Sequence, residues 1–168
     1  MGTSFNTATT ERSKDEWLTP QTLICALGAF DLDPCAPPDE RRPWSTAAKH
    51  ISLPDDGLKA QWQGRVWLNP PYGGETFLWM KKLADHGNGL GLIFARTETI
   101  GFHETIWGRA DAVFFFKGRL SFFHGSWNME KSSTANAPSC LVAYGQNNVE
   151  AIKTAQSRRQ IQGKLVLL

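Results

Sequence analysis

The chain has 168 residues, 41% hydrophobic and 20% charged, a size and balance for one globular core that exclude wholesale disorder and collagen-like repetition. Its formal charge of +2 does not imply electrostatic wrapping of nucleic acid, so a basic contact face has to be local. A polar start and the lack of any run near ~18 apolar residues exclude a secretory signal and a membrane span, and Asn6 breaks the myristoylation pattern that Met1-Gly2 opens, so a cytoplasmic location is expected.

Residues 1–13 lack apolar periodicity and read as a flexible leader, with order beginning near Trp17 and a single domain over 14–168. Thr19-Pro20 is a helix start, the threonine as cap and the proline at the first helical position; Leu23, Ile24 and Leu27 form the buried face and Gly28 the end. Phe30 to Asp33 forms a short strand stopped by Pro34. From Ala36 to Trp62 prolines interrupt the chain and leave room for at most a short helix around Ser45 to His50. Gly64 to Leu68 is the next strand, ended by Asn69-Pro70-Pro71-Tyr72, and Glu75 to His86 a helix burying Phe77, Met80, Leu83 and Ala84, closed by Gly87.

Leu90 to Phe94 and Ala112 to Phe116 are apolar runs of buried-strand type, with a short helix from Ile100 to Trp107 between them. Leu120 to Phe123 is expected to pair with the second run, and His124 to Pro138 to be a polar loop. Cys140 to Tyr144 is a strand, Asn148 to Gln156 a helix and Lys164 to Leu168 the last strand. Alternating strands and helices predict an α/β domain with a mainly parallel sheet, whose ligands gather beyond the strands' carboxyl ends. The seven tryptophans are expected mostly in the core. Cys25, Cys35 and Cys140 are far apart with no C-x-x-C pair, which predicts reduced thiols and no metal site.

The sharpest chemistry lies in Asn69-Pro70-Pro71-Tyr72, directly after a strand. A conjugated amine is a poor nucleophile. If the Asn69 side-chain oxygen and the Pro70 carbonyl each accept one of its hydrogens, the nitrogen is drawn toward a pyramid and its lone pair becomes available. The prolines stiffen the loop and remove donors, and Tyr72 offers a flat face on which a base can stack. The same segment could also be only a strand-ending turn. Asp33 ends the previous strand where a cofactor's ribose hydroxyls or amino group could bind, although it too could merely cap a turn.

The order Trp17-Leu18-Thr19-Pro20, Phe30-Asp31-Leu32-Asp33-Pro34-Cys35-Ala36, Asp56-Gly57-Leu58, Trp67-Leu68-Asn69-Pro70-Pro71-Tyr72-Gly73, Arg96-Thr97-Glu98-Thr99 and Gly118-Arg119-Leu120-Ser121-Phe122 resembles the phage-type DNA N-6-adenine methyltransferases, the Dam-like family of phages and prophages. The resemblance implies S-adenosylmethionine as methyl donor, a Rossmann-like methyltransferase fold with an abbreviated, mainly parallel sheet, and transfer to the exocyclic amine of a flipped adenine in duplex or single-stranded DNA. It implies that Asn69, Pro70, Pro71 and Tyr72 hold the target base, that Trp17, Thr19, Pro20, Asp33, Pro34, Ala36 and Asn69 border the cofactor, and that Asp56 serves its adenosine end. It also puts the protein in a bacterial host's cytoplasm. Pro37-Pro38 stand where the broader fold has a glycine-rich turn, and no segment is long enough for a separate target-recognition domain, which leaves selectivity site-specific or relaxed.

Base extrusion needs phosphate contacts, for which Arg96, Lys117, Arg119 and Lys131 are the candidates, whereas Lys81-Lys82 and Arg158-Arg159 read as solvated helix faces. His103 reads as structural, and His124 as a conceivable phosphate or base contact. Cys35 is a filler, because nitrogen attack on a sulfonium needs no covalent enzyme intermediate. Transfer to RNA or to a protein glutamine amide stays open, as do a nucleic-acid-binding module without turnover and a small interaction protein.

Overall fold

The computed structural model describes residues 17–124 and 132–168, the side chains of Trp17, His124, Ser132 and Ser133 excepted. The expected leader over 1–13 and Lys131 lie outside the described residues. In chain order the elements are β1 (Trp17–Leu18), α1 (Gln21–Leu27), β2 (Leu32–Asp33), a 3-10 turn (Asp39–Arg41), β3 (Lys49–His50), β4 (Val66–Leu68), α2 (Thr76–His86) and β5 (Gly89–Phe94). They continue with α3 (Ile100–Phe102), which runs into a π turn (His103–Trp107), then β6 (Ala112–Phe116), β7 (Ser121–His124), β8 (Ser132–Thr134), β9 (Ser139–Tyr144), α4 (Gln146–Ser157) and β10 (Gly163–Leu167).

Seven strands form one sheet in the order β10-β6-β9-β5-β4-β2-β3, and β1, β7 and β8 form a second, antiparallel one. The large sheet is mixed rather than mainly parallel. Its β3-β2, β2-β4 and β4-β5 ladders are parallel, and its β5-β9, β9-β6 and β6-β10 ladders antiparallel. The reversal arises because β6 is followed by strand β7 and not by a crossover helix, so the chain re-enters the sheet from the opposite end as β9. Since β9 opposes both β5 and β6, those two point the same way. The carboxyl ends of β2, β3, β4, β5 and β6 therefore share one edge with the start of β9. Abbreviation falls on strand length and on the crossovers around β3, since β2 and β3 have two residues each and only the 3-10 turn lies between them.

Alternation along the strands splits the core into two layers. On one face Phe30, Trp67, Leu90, Leu92, Phe114 and Leu141 meet α1 and α4; on the other Val66, Leu68, Ile93, Val113 and Val142 meet α2 and the helix after β5. Gly87 closes α2 as expected, in the left-handed conformation at φ 75°, its N–H donating to the Leu83 carbonyl at 2.9 Å. Arg65 ties the first layer together: its guanidinium donates to the Leu27 and Ala29 carbonyls and the Asn148 side chain, and lies over the Phe30 ring. Of the tryptophans, Trp62, Trp67 and Trp79 are buried.

Four expectations change. Thr19 does not cap α1; Pro20 holds that position and Thr19 is buried behind it. The region near Ser45 to His50 forms β3 instead of a helix, because its backbone pairs with β2. β7 pairs with β1 and β8 and not with β6, whose free flank is taken by β10. Lys82 is no solvated helix face: its ammonium donates to the Gly57, Leu58 and Ala60 carbonyls at 3.3, 2.6 and 2.6 Å and sits over Trp62.

Candidate active site

The parallel ladders bring Asp33 and Asn69 to adjacent strand ends. Leu32 lies in the α2 layer and Asp33 follows it in β2, so Asp33 turns to the α1 layer; Asn69, just past β4, is tied to that layer through Tyr72, whose hydroxyl meets it and whose ring stacks on Phe94, two residues on from Leu92. Both side chains thus stand on one face of one edge.

The Asn69 turn is held from both sides. The Thr76 hydroxyl donates to the Pro71 carbonyl at 2.7 Å and accepts from the Gly73 N–H at 3.1 Å, knitting the turn to the start of α2. The Tyr72 hydroxyl donates to Asn69 Oδ1 at 3.2 Å, and its ring stacks on Phe94 at 4.1 Å between centroids and 14° between planes. One Tyr72 face is therefore covered by protein. The ring also lines a pocket with Phe94, Phe122, Thr134, Ala135 and Asn136. Pro70 is buried and Pro71 exposed. Burial pushes the Tyr72 hydroxyl well above the usual phenol range, so it stays a donor.

Asp33 is 3% exposed, and burial raises its carboxyl to about 6, against the downward pull of Thr46, the Cys35 N–H and the Arg42 charge. Thr46 Oγ1 donates to Asp33 Oδ2 at 2.5 Å, and the Cys35 N–H donates to Oδ1 at 3.1 Å. The carboxylate thus folds its own turn where a glycine-rich loop is missing. Thr46 is in turn placed by His50, whose Nε2 accepts the Thr46 and Ala47 N–H groups at 3.3 Å each; that demands a neutral ring, and burial lowers the His50 pKa. Trp44 donates from Nε1 to the Thr19 carbonyl at 3.1 Å and meets Phe123 edge-on, fastening the small sheet to this loop. Cys35 is pushed up to about 12 by burial and by the Asp33 and Glu75 charges, which suits a filler and not a nucleophile.

Of the other expected residues, Pro34 and Ala36 are buried beside Asp33, and Gly57 presses against the Pro34 carbonyl, which brings Asp56 over that turn. The exposed Asp56 caps its own turn by accepting the Leu58 N–H at 2.9 Å. Trp17 pairs through its backbone with His124, and its side chain lies outside the described residues. Arg96, Lys117 and Arg119 are exposed just beyond β5 and β6. Asp33 does not line the pocket beside Tyr72; face and edge join the two groups, not one shared cavity. Trp44, Thr46, His50 and Thr76 were missed: the first two act from irregular backbone, His50 from a two-residue strand and Thr76 from the first position of α2, where no periodicity singles them out.

Residues 6–165 match the family described as DNA N-6-adenine-methyltransferase (Dam). The chain belongs to the Dam family. No curated protein and no solved structure matches it. Dam membership implies S-adenosylmethionine, and the residues present fit such a group. Buried Thr19 carries an Oγ1 with no partner among the described residues, and the loop whose Trp44 meets the Thr19 carbonyl also sets Thr46 on the Asp33 carboxylate. A ligand with amine, carboxylate and hydroxyl groups satisfies both. Among the described residues no helix is long and apolar enough to cross a membrane, and no three His, Cys, Asp or Glu side chains gather as a metal site requires.

Proposed function

We propose that the chain, as one catalytic domain with a Rossmann-like arrangement of its five co-directed strands, transfers a methyl group from S-adenosylmethionine to the N6 amine of an adenine extruded from DNA. The observation that carries this reading is the Asn69 amide oxygen, fixed by Tyr72 and Thr76's turn at the strand edge where Asp33 also ends. S-adenosylmethionine, when bound, supplies a methyl group on a cationic sulfur that a lone pair can displace. Thr19, Pro20, Asp33, Pro34 and Ala36, with Asp56 at the adenosine end, would hold it.

The protein's part is to make the amine nucleophilic. Asn69 Oδ1 accepts one N6 hydrogen while the Pro70 carbonyl accepts the other. Positive charge growing on the attacking nitrogen is stabilised by these two preorganised dipoles, and one of its protons passes to solvent. The ring face of Tyr72 turned from Phe94 receives the base, and Arg96, Lys117 and Arg119 hold phosphates during extrusion.

The test is methyl transfer from labelled cofactor to duplex DNA, single-stranded DNA, RNA and protein in parallel, with the product digested and weighed. N6-methyladenine in DNA is expected. Label in RNA or on glutamine, or salt-dependent DNA binding without any cofactor binding, overturns the assignment.

A further inference from the structure

Ser139 opens β9 at the same edge, directly opposite Phe94 of β5. It is 2% exposed, and its Oγ has no hydrogen-bond partner among the described residues. Alternation sends it to the α1 layer, with Leu141 and Ala143 two and four residues on, so it shares the face of Asn69 and Asp33. Phe94, its cross-strand neighbour, carries the Tyr72 ring, and Phe94 and Tyr72 both line the pocket that Thr134, Ala135 and Asn136 close. An alanine, as at position 143, would fill this place without burying a hydroxyl, so packing does not account for the serine.

We infer that Ser139 is a substrate-contacting residue that reads the ring edge of the target adenine, its Oγ donating a hydrogen bond to a ring nitrogen flanking the amine held by Asn69 and Pro70. This rests on the DNA adenine reading above. Adenine offers two such acceptors, N1 and N7, and no donor there, whereas a hydroxyl rotates freely to meet either. Because the hydroxyl is closed to solvent in the free protein and lies beside Phe94, contact requires Tyr72 to swing off Phe94 as the base enters, so that the edge of the stacked base reaches β9. The contact adds selection by the base's own edge to a fold without a separate recognition domain.

The test uses the full chain carrying Ser139→Ala, assayed on duplexes whose target is adenine, 1-deazaadenine or 7-deazaadenine. Removing a buried hydroxyl without a partner leaves the melting temperature unchanged or raised, and S-adenosylmethionine affinity unchanged. On adenine kcat/KM should fall roughly tenfold. On one of the two analogues the wild type should show that same loss, and the variant should equal the wild type. No loss on adenine, an equal loss on all three substrates, or a lowered melting temperature overturns the contact. A wild-type chain that leaves adenine in DNA unmodified overturns the function itself; one that methylates adenine beside an equally active Ser139→Ala variant overturns only the role of Ser139.

Discussion

Asn69 and Asp33 are neighbours on one edge with separable tasks. Asn69→Ala removes one of two preorganised dipoles and should lower kcat about 100-fold or more while S-adenosylmethionine affinity stays within about twofold, checked by single-turnover rates and calorimetry. Asp33 carries a pH signature. Its carboxyl sits at about 6 in the folded chain, above its ordinary value, so the folded state holds that proton more tightly than the unfolded one. Its contribution to stability is complete at low pH and is lost as pH rises through about 6. Denaturant melts should therefore show Asp33→Asn gaining stability relative to wild type between pH 5 and pH 8. Cofactor affinity, which needs the ionised carboxylate facing an amine, should strengthen over that same interval in wild type and stay flat in Asp33→Asn. Both residues were legible in the sequence because a rare residue order surrounds them. Ser139 was not, since one serine after a proline signals nothing until β9 is known to start at the edge where β5 ends.

At the scale of elements, the turn after β2 depends on a segment far along the chain. Gly57 lies so close to the Pro34 carbonyl that a Cβ there would overlap the oxygen and touch Trp79. Gly57→Ala should therefore cost about 1–3 kcal/mol in a denaturant melt and weaken cofactor binding, since Pro34 and Asp33 move together. Lys82 holds the same segment from α2 through its three carbonyl contacts, and Lys82→Ala should cost about 1–3 kcal/mol in the same assay. Apolar runs located β4, β5, β6 and β9 to within about two residues, and Gly87 located the end of α2. Direction was not legible: a buried strand reads the same from either end, so the antiparallel entry of β9 could not be seen in its residues. Nor could β3, whose two residues become a strand only by pairing with β2.

Across the whole molecule, the modest net charge of +2 leaves nucleic-acid affinity to a few placed cations. Arg96, Lys117 and Arg119 emerge beyond the co-directed strands β5 and β6, on the edge that carries Asn69. Neutralising all three should reduce the slope of log affinity against log salt by about 2–3 on duplex DNA, with little change in S-adenosylmethionine binding; an unchanged slope would place the phosphate track elsewhere. The position of β9 also has a consequence for biogenesis. Its six residues bridge β5 and β6, so both of those strands keep a bare row of amides and carbonyls until residues 139–144 have left the ribosome. A nascent chain halted before Ser139 would be sticky and inactive, with β5 and β6 each waiting for the strand that joins them.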